Sequence, residues 1–395
     1  MKVEMLSTGD EVLHGEIVDT NAVWLASTFY EAGYAMTFRT TSGDCLATLV
    51  ETLQQRSQVA DVLIVNGGLG PTSDDFTAQA AAQAAGVELV RNPQWLQEIE
   101  TFFARRGREM AAINLKQADI PESAEMLPNG NGTACGFRLE LNDCQIFFTP
   151  GPPAEFKLMI TEQVLPRLLH YFPTPRKLTC LRLTTFGRGE SAIAAMLNDI
   201  TLPANTTLGY RAAAPIVEIK LSGNQRQQVE MENCWQEIKL RVKDFVLFEG
   251  KGGFAAEIAT LMGPHYYPLQ LSEGISAGLL NWTLAKGGVP LIGASIQANN
   301  EKVDFQSWAT QMTAKLADQA LFLAISPMIK DREVGLLLVT PQQSYSFHAI
   351  ISEALLNVPQ RLQEVLVLQA MYLLHRWLTS QPVTLIYQGL DPVLK

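Results

Sequence analysis

No stretch of this 395-residue chain approaches the roughly 18 to 20 unbroken apolar residues that a bilayer span requires. The run Val365–Leu374 is short and is interrupted by Gln369, so no membrane association is expected. The amino terminus passes straight into a strand-like run without the apolar core and cleavage site of a secretory signal, which makes a cytoplasmic location the expectation. Cysteine is scarce. Cys45, Cys135, Cys144, Cys180 and Cys234 are odd in number, scattered and without a C-x-x-C pair, which argues against a disulfide framework and against a structural zinc site. A basic stripe with interleaved aromatics is also missing, and the net charge is −10, so nucleic-acid binding is not expected. Internal repeats and low-complexity tracts are absent.

Apolar residues make up 47% of the chain, enough for several cores, and the length favours two or three domains. The acidity is local. Residues 1–172 hold 11 Lys and Arg against 22 Asp and Glu, residues 173–250 hold 10 against 8, and residues 251–395 hold 9 against 10. An anionic ligand on the first segment would then need backbone N–H donors or a divalent cation.

That first segment alternates strand and helix patterns: strand Val3–Ser7, helix Thr20–Ala32, strand Tyr34–Thr41, helix Leu46–Gln55, buried strand Ala60–Asn66 and helix Asp75–Ala85. Helix Pro93–Arg106, paired strands Gly136–Leu141 and Gln145–Thr149 and a closing helix Pro152–Tyr171 complete it. This α/β alternation predicts a mostly parallel sheet covered on both faces, with ligands gathered at the loops leaving the strand carboxyl ends. Phe172-Pro173-Thr174-Pro175 reads as a linker. Residues 176–250 give the order β-α-β-β-α-β of a small split domain. The remainder reads as helix, strand Tyr266–Leu271, a Gly/Ser turn, helix, strand and further helices ending in Pro359–Leu378. The expected boundaries are 1–172, 173–250 and 251–395.

The strongest motif is Val65-Asn66-Gly67-Gly68-Leu69-Gly70-Pro71-Thr72-Ser73-Asp74-Asp75. Gly67, Gly68 and Gly70 follow a buried strand and let the backbone turn its N–H groups toward a phosphate, with a helix expected to begin near Thr72 or Ser73. Asp74 and Asp75 beside such a cradle would repel phosphate unless a hard divalent cation (Mg²⁺, Mn²⁺ or Co²⁺) lay between them. The competing reading is that Asp75 serves only as a helix-start residue in the pattern Thr72-x-x-Asp75. Asp10 and Glu11, at the end of the first strand, fall on the same sheet edge and could join those carboxylates. Asp19 and Asn21 open a helix, where N-capping is an equally good account. His14 alone is weak evidence for any role. Gly132-Thr133-Ala134 and Pro150-Gly151-Pro152-Pro153-Ala154-Glu155 sit at further strand and helix edges, and Glu155 fits an ordinary helix start.

Together these loops resemble, in order and spacing, the competence/damage-inducible protein CinA family. The resemblance implies a three-layer first domain like the molybdopterin-binding MoaB/MogA fold, with metal-dependent ADP-ribose pyrophosphatase activity. The expected substrate-binding set is Gly67, Gly68, Gly70, Thr72, Asn21 and Thr133. The expected metal ligands are Asp74, Asp75, Asp10 and Glu11, and Glu155 is a candidate general base beside Asp74 and Asp75. Phe186-Gly187-Arg188-Gly189-Glu190-Ser191 and Gly209-Tyr210-Arg211 resemble that family's KH-like connector, and the family's homodimeric state is the expectation here.

The last domain of the family deamidates nicotinamide mononucleotide through a serine in A-E-S-C-T-G-G-L-L. The aligned residues here are Ser272-Glu273-Gly274-Ile275-Ser276-Ala277-Gly278-Leu279-Leu280, which puts Gly274 in the nucleophile's place. Y-S-N-E-x-K becomes Ala298-Asn299-Asn300-Glu301-Lys302-Val303, and T-G-x-A-G-P-G is replaced by Ser326-Pro327-Met328-Ile329-Lys330. Loss of the amidase is therefore expected. A competing pattern is Gly274-Ile275-Ser276-Ala277-Gly278, which matches a G-x-S-x-G nucleophile elbow, with His348 or His375 as partners of unknown position. The resulting expectation is a small-molecule nucleotide substrate hydrolysed at its diphosphate to AMP and ribose 5-phosphate. Two alternatives stay open: a non-catalytic nucleotide- or pterin-binding protein, and a retained nicotinamide mononucleotide deamidase.

Overall fold

A computed structural model describes residues 1–173, 177–263, 267–297, 304–314, 320–330 and 332–393. Thr174 and Pro175 of the expected linker, Tyr266 and the segment Ala298–Val303 lie outside the described residues. The chain divides into two compact units, Met1–Leu178 and Thr179–Lys395.

The first unit is built on a six-stranded sheet. Its strands are β1 (Val3–Thr8), β2 (Met36–Ser42), β3 (Val62–Asn66), β6 (Glu125–Leu127), β7 (Gly136–Leu141) and β8 (Cys144–Thr149), in the order β2-β1-β3-β8-β7-β6; β4 (Leu89–Arg91) and β5 (Asp119–Pro121) form a separate pair. β2, β1, β3 and β8 are parallel, and β7 and β6 are antiparallel. The run Val62-Leu63-Ile64-Val65-Asn66 is buried at every position because β3 is central and covered on both faces, which is where continuous apolar, β-branched sequence belongs. One apolar cluster on one side of the sheet includes Leu53, Trp95 and Phe148, and a second includes Phe29, Phe147 and Phe156.

Local chemistry fixes the helices. Thr20–Ala32 starts where the Asp19 carboxylate accepts from the Ala22 N–H at 2.9 Å, and it ends at Gly33 in the left-handed region (φ 86°). The closing helix has a π-helical turn at Ile160–Val164 between Pro153–Met159 and Leu165–Tyr171. Pro166 lacks the N–H that the Glu162 carbonyl would otherwise receive, and widening the coil accommodates that loss. The helix after the glycine turn begins at Thr77, not at Thr72, Ser73 or Asp75. Residues 71–76 form turns instead, closed by Asp75 as described below.

The second unit carries two sheets. β9 (Leu178–Phe186), helix Glu190–Leu197, β10 (Thr207–Ala213), β11 (Ile216–Asn224), helix Gln228–Val242 and β12 (Val246–Glu249) give the β-α-β-β-α-β order, with sheet order β10-β11-β9-β12. The other sheet runs β14-β13-β15-β16-β17-β18 through β13 (Leu269–Glu273), β14 (Leu291–Ile296), β15 (Leu321–Ile325), β16 (Glu333–Val339), β17 (Ser344–Ile351) and β18 (Leu390–Pro392). Its first three strands are parallel and its last three antiparallel. The antiparallel half occupies sequence read as further helices. The two sheets share one core, in which Phe186 and Leu247 of the smaller one lie among Leu271, Leu323 and Met371. Among the described residues no helix is long and apolar enough to cross a membrane.

Candidate functional site

The carboxyl ends of β1, β3 and β8 meet at one rim of the first sheet. Gly67 (φ 108°) and Gly68 (φ 64°) turn the chain there in a conformation that L side chains rarely adopt. A Cβ on Gly67 would lie 2.6 Å from the Thr8 Oγ1, and one on Gly68 would collide with the Thr77 hydroxyl, so the turn must remain bare. Asn66 fastens it from below: its Nδ2 donates to the Pro150 carbonyl at 2.7 Å. Asn21 donates from its own Nδ2 to the Asn66 Oδ1 at 3.0 Å and to the Gly151 carbonyl at 2.7 Å. Both partners are acceptors, which fixes the amide's orientation and leaves the buried Asn21 Oδ1 without a donor among the described residues.

Around this turn lies a cleft of about 600 Å³. Nine of the expected residues line it: Asn21, Gly67, Gly68, Gly70, Asp74, Asp75, Thr133, Glu155 and Glu11. Thr72 and Asp10 do not. The Thr72 N–H donates to the Asp75 Oδ2 at 2.8 Å and its hydroxyl donates to the same oxygen. Asp75 thus closes a turn of its own backbone, the capping chemistry of Thr72-x-x-Asp75 with no helix attached. Asp10 is paired reciprocally with Asp44: the Asp44 N–H donates to the Asp10 Oδ1 at 3.2 Å, and the Asp10 N–H donates to the Asp44 Oδ2 at 3.1 Å. Asp19 is also structural, since besides its cap it accepts from the Ser7 hydroxyl at 2.6 Å and pairs with Arg39. His14 is exposed and does not line the cleft.

Sequence reasoning assigns no role to Asp44, to Gln117 or, although it stands in the glycine motif, to Asn66; all three line the cleft. Asp44 follows the end of β2, and Asn66 is the last residue of β3, so the strand-end rule already applied to Asp10 would have found both. Gln117 comes from a 3₁₀ stretch, Ala112–Ala118, with no local signal. The Asp44 carboxyl is held above its ordinary pKa, first by burial and then by the negative charges of Asp10, Glu11 and Asp74, against one bond from the Asp10 N–H. Asp74, exposed beside it, is held below its ordinary value by bonds from Thr72 and from its own backbone N–H, and by the Lys116 charge. The four acids therefore share one negative field. Among the described residues, however, no three His, Cys, Asp or Glu groups come together closely enough to enclose a metal ion. Glu155 is pinned at the other side, where its Oε2 accepts from the Asn129 Nδ2 at 2.6 Å and fills the space a Cβ on Gly132 would need.

In the second unit, Gly274 stands where any side chain would overlap the backbone of Ser326 and Pro327. Ser276 is buried and donates to the Glu273 Oε2 at 2.7 Å. That carboxylate, itself buried, also accepts from the N–H groups of Gly278 (3.1 Å), Leu280 (3.0 Å) and Asn281 (2.8 Å). It caps the helix Leu279–Lys286, favoured there by the helix dipole. His348 pairs with Glu333 at 2.8 Å, and His375 packs on Phe254. Neither meets the serine, so the elbow pattern here is a helix cap.

A parallel-sheet domain with a glycine turn at its strand ends, followed by a β-α-β-β-α-β sheet, defines the class. Residues 4–170 match the family model of a probable molybdopterin binding domain, and residues 182–247 match that of the damage-inducible protein CinA KH domain. A CinA-like protein of Escherichia coli O9:H4 (strain HS) is 46% identical over 97% of this chain and 96% of its own length. The same figures hold for a protein of Escherichia coli (strain K12) named NMN amidohydrolase-like protein YfaY. A crystal structure of the protein CinA, of unknown function, from Thermoplasma acidophilum is 27% identical and covers 42% of this chain and 97% of that one, with a TM-score of 0.39. The chain belongs to the CinA-like protein family.

Proposed function

We propose that the first unit hydrolyses the diphosphate of ADP-ribose or a related nucleotide at the Gly67–Gly70 turn. The observation that carries this reading is a bare, positive-φ backbone turn at three strand ends, opening on a cleft that Glu11, Asp44, Asp74 and Glu155 also line. A backbone cradle suits phosphate oxygens, and a field in which acids outnumber the one nearby lysine suits a hard cation. Since no three acids among the described residues enclose an ion by themselves, Asp74 and Asp44 would hold a divalent ion jointly with the phosphate oxygens of the substrate, with Asp10 supporting Asp44 from behind. When bound, the ion would offset phosphate charge and lower the pKa of the attacking water. Asp75 shapes the turn. Glu155 faces the cleft with one oxygen fixed by Asn129, which orients it to take the proton of water as oxygen adds to phosphorus and the bridging P–O bond breaks. ADP-ribose would give AMP and ribose 5-phosphate.

The test is AMP release from ADP-ribose with Mg²⁺, Mn²⁺ or Co²⁺. Asp74→Asn should remove metal-dependent turnover, and Glu155→Gln should lower kcat by about 100-fold or more. Unchanged rates in both variants would overturn the reading. Deamidation of nicotinamide mononucleotide, which one relative's name suggests, is not part of it. The crowding at Gly274 and the burial of Ser276 both speak against a nucleophile in the second unit.

A further inference from the structure

The first segment has two acids for each base, yet its eight arginines divide sharply. Arg39, Arg56, Arg91, Arg138 and Arg167 each pair with a carboxylate. Arg105, Arg106 and Arg108, neighbours in the chain, make no ion pair among the described residues. Two of them line a cavity of about 530 Å³ together with Trp95, Phe102, Glu98 and Gly132. Unpaired among the described residues and exposed beside a concave wall, these two guanidiniums are free to meet an anion.

The cavity adjoins the glycine-turn cleft through one loop. Residues Thr133 and Ala134 line the cleft, while Asn129, Gly130 and Gly132 of the same loop line the arginine cavity. That wall is rigidly held. The Asn129 Nδ2 donates to the Ala134 carbonyl at 3.0 Å and to Glu155, and the Trp95 Nε1 donates to the Thr133 carbonyl at 3.1 Å. Arg106 lies over the Phe102 ring, its guanidinium carbon 3.5 Å from the centroid, and its Nη1 donates to the Phe102 carbonyl at 3.4 Å, two contacts that favour this placement before any ligand arrives. Glu98, the one carboxylate in this lining, leaves the two arginines in excess.

We propose that the Arg105–Arg106 cavity is a subsite for a phosphomonoester at one end of the ligand whose diphosphate lies on the Gly67–Gly70 turn. The inference rests on the reading above and sharpens its substrate class. ADP-ribose carries only its diphosphate, so the preferred substrate is a nucleotide diphosphate bearing a further phosphate on a ribose hydroxyl. Forked guanidiniums are suited to that group because they bind its oxygens bidentately.

Two measurements on the full chain separate the ideas. With Mn²⁺, the wild type should hydrolyse ADP-ribose 2′-phosphate with at least a tenfold higher kcat/KM than ADP-ribose, chiefly through KM. Arg105→Ala/Arg106→Ala should bring that ratio close to one, and Arg105→Lys/Arg106→Lys should restore part of it. Without metal, adenosine 2′,5′-bisphosphate or 3′,5′-bisphosphate should bind the wild type at least tenfold more tightly than AMP, and the double alanine variant should bind all three alike. Equal kcat/KM for both substrates, or a preference retained by the variant, overturns the subsite while leaving the diphosphatase intact. If neither substrate turns over, the diphosphatase falls and the binding experiment decides the subsite. Equal affinities or no binding at all then overturn it too.

Discussion

Asp44 and Gly274 carry opposite messages about what one residue can reveal. Asp44 is one of 40 acidic residues, marked in the sequence only by its place after a strand end, and its burial beside Asp10, Glu11 and Asp74 is what sets it apart. If a divalent ion relieves that repulsion, adding Mn²⁺ should raise the melting temperature of the wild type more than that of Asp44→Asn, as read by thermal unfolding at fixed ion concentration. Equal shifts would place the ion elsewhere. Gly274, in contrast, was legible as a missing nucleophile, but not as a closed space. Gly274→Ser should therefore release no ammonia from nicotinamide mononucleotide, and it should cost about 1–3 kcal/mol or more of stability because the Ser326–Pro327 backbone has to shift. A fully stable serine variant would contradict this packing.

Elements with strong periodicity and explicit ends were readable in advance: Thr20–Ala32 has both an Asp cap and a terminal glycine, and Val62–Asn66 an unbroken apolar run. Two features were not. The helix after the glycine turn starts late because Asp75 bonds back to Thr72, a choice between turn and helix that local composition leaves undecided. β16 was missed because Glu333–Val339 is buried throughout its length except at Glu333, so no alternation marks it as a strand, whereas Ser344–Ile351 of β17 does alternate and was passed over. The long helix Pro359–Leu378 supplies a pH prediction. Burial, helped by the neighbouring Arg376 charge, pushes the His375 imidazole down to about 4 from 6.5. The folded chain then binds fewer protons than the unfolded one between those values. The stabilisation is thus present above pH 6.5 and is lost as pH falls toward 4. Denaturant midpoints of His375→Phe should decline less steeply than those of the wild type over that range, and parallel curves would show that His375 is not the group responsible.

At the scale of the whole molecule, net charge concealed what position revealed. A segment with 22 acids against 11 bases reads as uniformly acidic, and Arg105 and Arg106 disappear in that average although they line one cavity. Domain counting from sequence marks a break near Gly252, but the shared core of Phe186 and Leu247 with Leu271 and Met371 joins the two later sheets in one unit. Residues 1–178 expressed alone should unfold cooperatively by calorimetry, whereas 179–250 alone should not, since its partners in that core are gone. A cooperative transition in the shorter piece would disprove the shared core's importance. The join has a further consequence at Gly187. The Gln388 N–H donates to the Gly187 carbonyl at 3.3 Å, Tyr387 stacks on Phe186, and a Cβ at Gly187 would lie 2.7 Å from the Ile386 carbonyl oxygen. The bend at Gly187 is thus sealed by residues 386–388, so any ligand reaching for its backbone would first have to displace that segment.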